Sequence, residues 1–286
     1  MLRKIVSWVL IGLGAFLLVI AILAKTWAPG VLQKTPTNIE TTTRLEGGGE
    51  KFNPSSGEVE PIEVKVTSLT QTDSDKSTDT DVVWVNTTCV VMDEPGIPDC
   101  IDGDDPRLVS AEVEVFQTDR VTALASGGDR DGLQNKWPFN AEKKTYPYWD
   151  GILGQAEDAK FVGTEEIHGL ETYHYALEVN EVPAEVSSGI QGTYSTKKDF
   201  WVEPMTGSVI NQKQYERRVL DDGTVAVDLT VEFTDEQIKT GVEESKANVQ
   251  GLNLLLNTVP LIGFIGGALL LVVGLLLSRR KADPKA

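Results

Sequence analysis

Side chains suited to acid–base or metal chemistry are few in this sequence. The two histidines, His168 and His174, fall in no spacing typical of a metal site. Glu165 and Glu166 precede His168, but adjacent residues of a strand point to opposite faces, so this pair would not act together. No serine lies in a G-x-S-x-G context. We therefore expect no catalytic residue, no metal site, no cofactor and no enzyme activity.

Two acidic clusters have the composition of a cation site but not its pattern. One lies in residues 70–81, and the other comprises Asp99, Asp102, Asp104 and Asp105. The first lacks the glycine and the distal glutamate that an EF-hand requires. Both clusters are therefore predicted to be solvated loops.

The sequence contains two cysteines, Cys89 and Cys100, separated by a turn-rich stretch. They are close enough in sequence to close a short loop in an oxidising compartment, which favours a disulfide. Two unpaired buried thiols remain the alternative, because spacing alone does not fix bond geometry.

Residues 127–150 are rich in aromatic side chains, and two interpretations fit them. The rings could line a groove for an apolar or sugar-bearing ligand. Alternatively, they could plug one end of a sheet. On the first interpretation the ligand-binding residues are Trp137, Phe139, Tyr146, Tyr148 and Trp149.

Two uncharged apolar runs, residues 5–24 and 254–277, are long enough to cross a bilayer as helices. We interpret the first as a retained signal anchor, because its apolar core exceeds that of a cleaved signal peptide. Among the lysines and arginines next to the spans, all but Lys25 lie towards the two chain ends, which places both termini in the cytoplasm and the main domain outside the plasma membrane. In the second run, Gly263 and Gly267 form a G-x-x-x-G pattern that allows another helix, such as the first run, to pack closely.

Between the spans, apolar and polar residues alternate in several short segments, which is typical of strands with one buried face. Turns are expected at Pro183 and Gly189, and a capping pattern at Thr234 begins a helix. We predict a mainly β fold, an antiparallel curved sheet or sandwich between two transmembrane helices. The predicted plan is a tail at 1–4, a span at 5–24, an extended arm at 25–61 that could hold one early strand at 38–45, a β domain at 62–234, a juxtamembrane helix at 235–253, a span at 254–277 and a basic tail at 278–286.

The net charge of −17 argues against nucleic acid as a partner, because an acidic surface repels phosphates. The membrane is the partner that the sequence itself indicates. The charge alone does not distinguish solubility from attraction of a basic partner.

Three motifs carry a resemblance that covers nearly the whole chain: KWPFNAEKKTYPYWD at 136–150, GLETY at 169–173 and WVEPMTG at 201–207. Together with the two spans, they resemble the actinobacterial porin PorA-like family, formerly a domain of unknown function. Members include a polar growth factor that binds trehalose monomycolate and associates with its transporter, and a protein needed for lipoglycan maturation. The resemblance implies an envelope factor that binds or helps traffic lipid or lipoglycan precursors, with a lipid transporter or other envelope proteins as partners.

Two other functions remain open. The chain could be a ligand-free scaffold or sensor for envelope proteins. A pore is less favoured, because the apolar membrane-crossing segments are helices that offer no charged ring to line a channel, and the strands are charged on one face.

Overall fold

The computed structural model describes residues 2–187 and 189–279 of the chain. It divides into two compact units, Met1–Lys34 with Ala247–Ala286, and Thr35–Lys246. Of the two predicted cytoplasmic tails, residue 1 and residues 280–286 lie outside the described part. The mainly β fold with an apolar helix towards each end of the chain is confirmed.

The first unit contains the apolar helices. Helix α1 covers Leu2–Thr26, the short α2 covers Pro29–Leu32, and α4 covers Val259–Arg279 after a π-helical turn at Leu254–Thr258. Helix α3, Asp235–Asn253, precedes that turn. By length and composition, α1 and the helical stretch that ends at Arg279 are candidate membrane spans.

Small residues bring α1 and α4 together, and most of them recur every seven positions, or about two helical turns. A Cβ atom on Gly267 would lie 2.8 Å from the carbonyl oxygen of Gly14, and the hydroxyl of Ser7 donates a 2.7 Å hydrogen bond to the carbonyl of Gly274. Such close approach is typical of helix pairs in membranes. The buried residues are Ser7, Gly14 and Ala21 in α1, and Pro260, Gly263, Gly267 and Gly274 in α4.

Replacing Gly14 with leucine is expected to weaken the helix pair by about 1–3 kcal/mol, because the side chain would overlap the backbone of α4. Gly12 is the matched control, since a Cβ atom there meets nothing within 4 Å. Forced separation of the two helices in a bilayer, measured with magnetic tweezers, should need less force for Gly14→Leu and an unchanged force for Gly12→Leu. Equal effects of the two substitutions would contradict this packing.

The described part of the second unit is an antiparallel sheet of ten strands in the order β4-β3-β2-β1-β10-β9-β8-β7-β6-β5. Adjacent strands in this sheet are sequence neighbours except at the centre, where β1 pairs with β10, and the sequence neighbours β4 and β5 form its two edges. The strands are β1 Glu40–Asn53, β2 Glu58–Asp73, β3 Asp81–Met92, β4 Leu108–Asp119, β5 Tyr146–Asp150, β6 Gln155–Ile167, β7 Leu170–Ser187, β8 Ile190–Val202, β9 Val209–Leu220 and β10 Val225–Phe233.

The sheet curls, and glycines allow neighbouring backbones to approach closely within it. A side chain at Gly47 of β1 would collide with the carbonyl oxygen of Thr230 in β10, and one at Gly192 of β8 would collide with that of Val219 in β9. Glycine within a strand commonly marks such a bend or close approach. Helix α3 packs beside this sheet, where Val242 contacts Leu170 and Ile210.

The structure differs from the sequence interpretation in three places. Within the predicted arm at 25–61, the early strand expected at 38–45 is the first part of β1, which continues to Asn53, and the arm also contains the start of β2. The turn predicted at Pro183 is wrong, because β7 continues past it through register shifts on both sides. The sequence pattern gives no range for β5 or β6; β6 lies partly exposed on both faces and has little hydrophobic alternation.

Candidate functional site

The two edges of the curled sheet are joined by an irregular segment, residues 120–145, which we call the closing segment. Leu133 forms isolated bridges with Leu124 on one side and with Tyr148 of β5 on the other. Its backbone N–H donates to the carbonyl of Pro147 at 2.8 Å, and its carbonyl accepts from Trp149 at 3.0 Å. The described strands β4 and β5 do not pair with each other, so this segment closes the interior.

Trp137 lies at the centre of the main core and is 0% exposed. Its ring centroid is 5.5 Å from that of Tyr148, 5.2 Å from Tyr175 and 4.9 Å from Phe200. Tyr146 contacts Tyr175 edge-on at 5.8 Å. In this state the rings of Trp137, Tyr146 and Tyr148 therefore pack on one another and on β7 and β8, as interior side chains do, and a ligand among them requires the closing segment to move.

The turn at residues 203–207 holds Trp137 in place. The backbone N–H of Trp137 donates to the carbonyl of Gly207 at 2.8 Å, and that of Ala141 donates to Pro204 at 2.7 Å. Gly207 has a φ of 74° and any side chain there would collide with the carbonyl of Trp137, so glycine suits this position. Buried Glu203 accepts hydrogen bonds from the turn. The motifs at 136–150 and 201–207 therefore contact each other.

Phe139 and Trp149, the other two predicted ligand-binding residues, contact cations. The ammonium of Lys136 lies 3.9 Å from the ring centroid of Phe139, and the guanidinium carbon of Arg130 lies 5.5 Å from that of Trp149. Burial lowers the pKa of Lys136 to about 8, because it disfavours the charged ammonium. Its hydrogen-bond partner is the hydroxyl of Thr35 at 3.4 Å.

Unpaired buried polar atoms concentrate around this segment. Among the described residues, seven side-chain nitrogen or oxygen atoms are buried without a hydrogen-bond partner, and four of them fall within residues 130–149. Native proteins leave few such groups unpaired, so a cluster of them needs an explanation. The four atoms are Arg130 Nη1, Gln134 Oε1, Trp137 Nε1 and Trp149 Nε1. Three of the four are N–H donors, which an oxygen-bearing ligand would satisfy.

Beside the aromatic core lies a buried ion pair. The ammonium of Lys198 is 2.9 Å from a carboxylate oxygen of Asp150, and the hydroxyl of Tyr194 donates to the same oxygen at 3.1 Å. Burial by itself would raise the pKa of Asp150, but the charge and hydrogen bond of Lys198 outweigh it, so the pKa lies below 3.8. Burial raises the pKa of Tyr194. This cluster fixes β5 against β8.

Glu165 contacts a histidine in the structure, but that histidine is His174 of the next strand. Its carboxylate lies 2.9 Å from Nδ1 of His174 and accepts from the indole of Trp201 at 2.7 Å, while Nε2 of His174 lies 2.7 Å from Asp199. The imidazole stacks on Trp201 with centroids 4.6 Å apart. Both imidazole nitrogens face carboxylates, and within the described chain no hydroxyl group contacts them. Because Glu165 lies in β6, His174 in β7 and Asp199 in β8, these contacts connect the three strands.

The predicted disulfide is confirmed, with Cys89 and Cys100 bonded and their Cα atoms 5.5 Å apart. It fastens the acidic loop after β3, where Asp99 pairs with Arg44 at 2.9 Å and with Lys65 at 3.4 Å. Within residues 2–187 and 189–279, no group of three or more His, Cys, Asp or Glu side chains is placed to hold a metal ion.

Several interior residues escaped the sequence interpretation. Tyr175, Phe200 and Lys198 come from β7 and β8, far along the chain from the aromatic segment they contact. Their alternation in a strand indicated an inward face but not which segment it would meet. A lysine at an inward position between aromatic residues, Lys198 of β8, is the signal that could have indicated a buried acidic partner.

Comparison with known proteins identifies the family. The family model described as Porin PorA matches residues 6–276. A protein of Corynebacterium resistens named Porin PorA is 22% identical over 418 aligned positions, which cover 100% of this chain and 99% of the relative. Another Porin PorA, from Corynebacterium amycolatum, is 38% identical over 50 residues, which cover 18% of this chain and 13% of that relative. Because the family match runs through both apolar helices and the whole sheet, the chain belongs to the Porin PorA family.

Proposed function

We propose that the chain is a membrane-anchored envelope factor, not an enzyme, that binds or helps traffic envelope lipid or lipoglycan precursors. The observation that carries the proposal is the set of buried, unpaired N–H donors on Arg130, Trp137 and Trp149. Hydroxyl, ester and phosphate oxygens of such molecules would accept from these donors, whereas a packed protein core alone leaves them unsatisfied.

Three features of the second unit support this proposal. The indole of Trp137 lies among aromatic and aliphatic side chains suited to an acyl chain. Burial disfavours the ammonium of Lys136 and lowers its pKa to about 8, and an anionic group beside it would stabilise that charge. The edges of the sheet are joined by the closing segment rather than by strand pairing, so that segment can move without breaking the sheet.

The proposed location follows from the chain ends and the disulfide. Arg3 and Lys4 precede the first span and Arg279 ends the second, which supports cytoplasmic termini. The bonded Cys89 and Cys100 support an extracytoplasmic place for the β unit, since disulfides persist in oxidising compartments. A lipid transporter or other envelope proteins would be its partners there.

Native mass spectrometry of the full chain, purified from its host in mild detergent, tests lipid binding. We expect a lipid bound in stoichiometric amount, and about a fivefold to tenfold loss of occupancy in Trp137→Phe, which keeps an aromatic ring but removes the indole N–H. Trp27→Phe is the matched control, because Trp27 is exposed in the other unit and should leave occupancy unchanged. A lipid-free chain, or equal loss in both variants, would overturn the proposal.

Pore formation is the second candidate, and it is favoured by the name Porin PorA that the two Corynebacterium relatives carry. Against it, the outward side chains of β7, β8 and β9 include exposed Glu178, Lys197 and Lys213, whereas a membrane-crossing sheet needs an apolar outer band. Planar-bilayer recording of the purified chain separates the two candidates. Discrete conductance steps would favour the pore, and a silent bilayer would favour the lipid factor.

A further inference from the structure

Strand β4 has a free backbone edge. On one side it pairs with β3, and that register makes the even-numbered residues around Phe116 exchange hydrogen bonds with β3. The backbone N–H and C=O groups of the odd-numbered residues point away from β3. The carbonyl of Gln117 accepts from the N–H of Ser126, and the N–H of Asp119 donates to the carbonyl of Leu124, both in the closing segment. Within the described chain, the outward N–H and C=O groups of Ala111, Val113 and Val115 have no such partner.

The side chains along this edge alternate in chemistry. Val113 and Val115 lie on one face of the strand and are 66% and 58% exposed. Glu112 and Glu114 lie on the other face; Glu112 is exposed and Glu114 pairs with Arg130 at 2.8 Å. Free edges are usually protected by lysine, by proline or by cover from another segment. Residues 111–115 have neither lysine nor proline, while the opposite edge, β5, is covered by Leu133.

We propose that residues 111–115 of β4 form a docking site for an extended segment of another protein, with apolar residues on one face and lysine or arginine on the other. Such a segment would add an eleventh strand through its backbone, which is an established mode of peptide recognition. Its apolar side chains would cover Val113 and Val115, and its basic side chains would face the exposed Glu112, next to the Glu114–Arg130 pair.

A second copy of this chain fits the edge poorly. Antiparallel pairing of two β4 edges centred on Val113 would place Glu112 of one copy directly opposite Glu114 of the other, twice. Like charges directly opposite each other in a sheet are destabilising. The net charge of −17 adds to that repulsion and attracts a basic segment instead.

The test uses the full chain in detergent and two labelled seven-residue probes, a valine–lysine alternation and a valine–glutamate alternation, followed by fluorescence anisotropy. We expect saturable binding of the basic probe and at least about tenfold weaker binding of the acidic one. Amide hydrogen exchange should show protection at Ala111, Val113 and Val115 when the basic probe binds.

Val113→Pro removes one outward N–H without touching the bonds to β3, and should weaken the basic probe about tenfold. Val113→Thr keeps the N–H and is the matched control. Val115→Lys leaves the backbone intact but places a charge opposite the probe's valines, so its effect stays informative if the proline variant misfolds. Equal binding of both probes, unchanged binding to Val113→Pro and Val115→Lys, or self-association through β4 would overturn the proposal.

Discussion

Replacing Lys198 with methionine is expected to lower the free energy of unfolding by about 3–5 kcal/mol. The substitution removes the cation that lies 2.9 Å from Asp150, a carboxylate that is 0% exposed, and leaves that charge buried with Tyr194 as its remaining side-chain donor. Denaturant unfolding of the full chain in detergent, followed by tryptophan fluorescence, measures the loss.

Two variants show that the effect comes from the buried charge. Lys197→Met changes the neighbouring lysine, whose side chain is 55% exposed and whose ammonium lies 3.6 Å from Asp199, so the loss of stability should stay below about 1 kcal/mol. Adding Asp150→Asn to Lys198→Met removes the orphaned charge and should restore most of the stability. If the double variant is as unstable as the single one, the ion pair is not the cause.

The same pair makes a pH dependence that can be checked. Because the folded-state pKa of Asp150 lies below 3.8, its contribution to stability is fully present above that value. It is lost as the pH falls from there through the lowered folded-state pKa. The acid side of the stability profile should therefore flatten in Asp150→Asn, whereas a profile identical to that of the unsubstituted chain would contradict the shift.

The second large effect is expected at the disulfide. Cys100→Ser should lower the free energy of unfolding by about 3 kcal/mol, because the bond closes a short loop in the unfolded chain. Cys100 is the better site, since it is exposed whereas Cys89 is buried and its replacement would also disturb β3. Denaturant unfolding measures the difference.

A reducing agent is the matched control for the disulfide. Reduction should destabilise the unsubstituted chain by about the same amount and should leave Cys100→Ser unchanged. A variant as stable as the parent, or one that reduction destabilises further, would contradict the assignment.

Local patterns in the sequence predict much of this fold. Alternation at Ile62, Val64 and Val66 indicates β2, because burial of one face of a strand imposes a period of two residues. The two uncharged runs indicate the apolar helices, because crossing a bilayer requires a minimum length. The sequence predicts only the first part of β1, because Gly47 and its neighbours resemble a linker. The glycines instead suit the close approach of the β10 backbone, which local sequence does not reveal.

The candidate site is less predictable, because its contacts join distant segments. The density of aromatic residues drew attention to Trp137 and Tyr148, but not to Phe200, which contacts both. Asp150 and Lys198 are 48 positions apart, and neither has a local pattern that names the other. The sequence around Arg130 does not indicate that its guanidinium contacts the rings of Phe116 and Trp149, because these contacts arise only from the fold.

The most direct test of lipid handling is photo-crosslinking in the native host with a photoactivatable, clickable fatty acid. The purified full chain would be digested and the modified peptides identified by mass spectrometry. We expect adducts on peptides that contain Trp137, Tyr146 or Tyr148, in addition to those on α1 and α4 that any membrane helix acquires. Adducts confined to α1 and α4 would contradict lipid binding by the β unit.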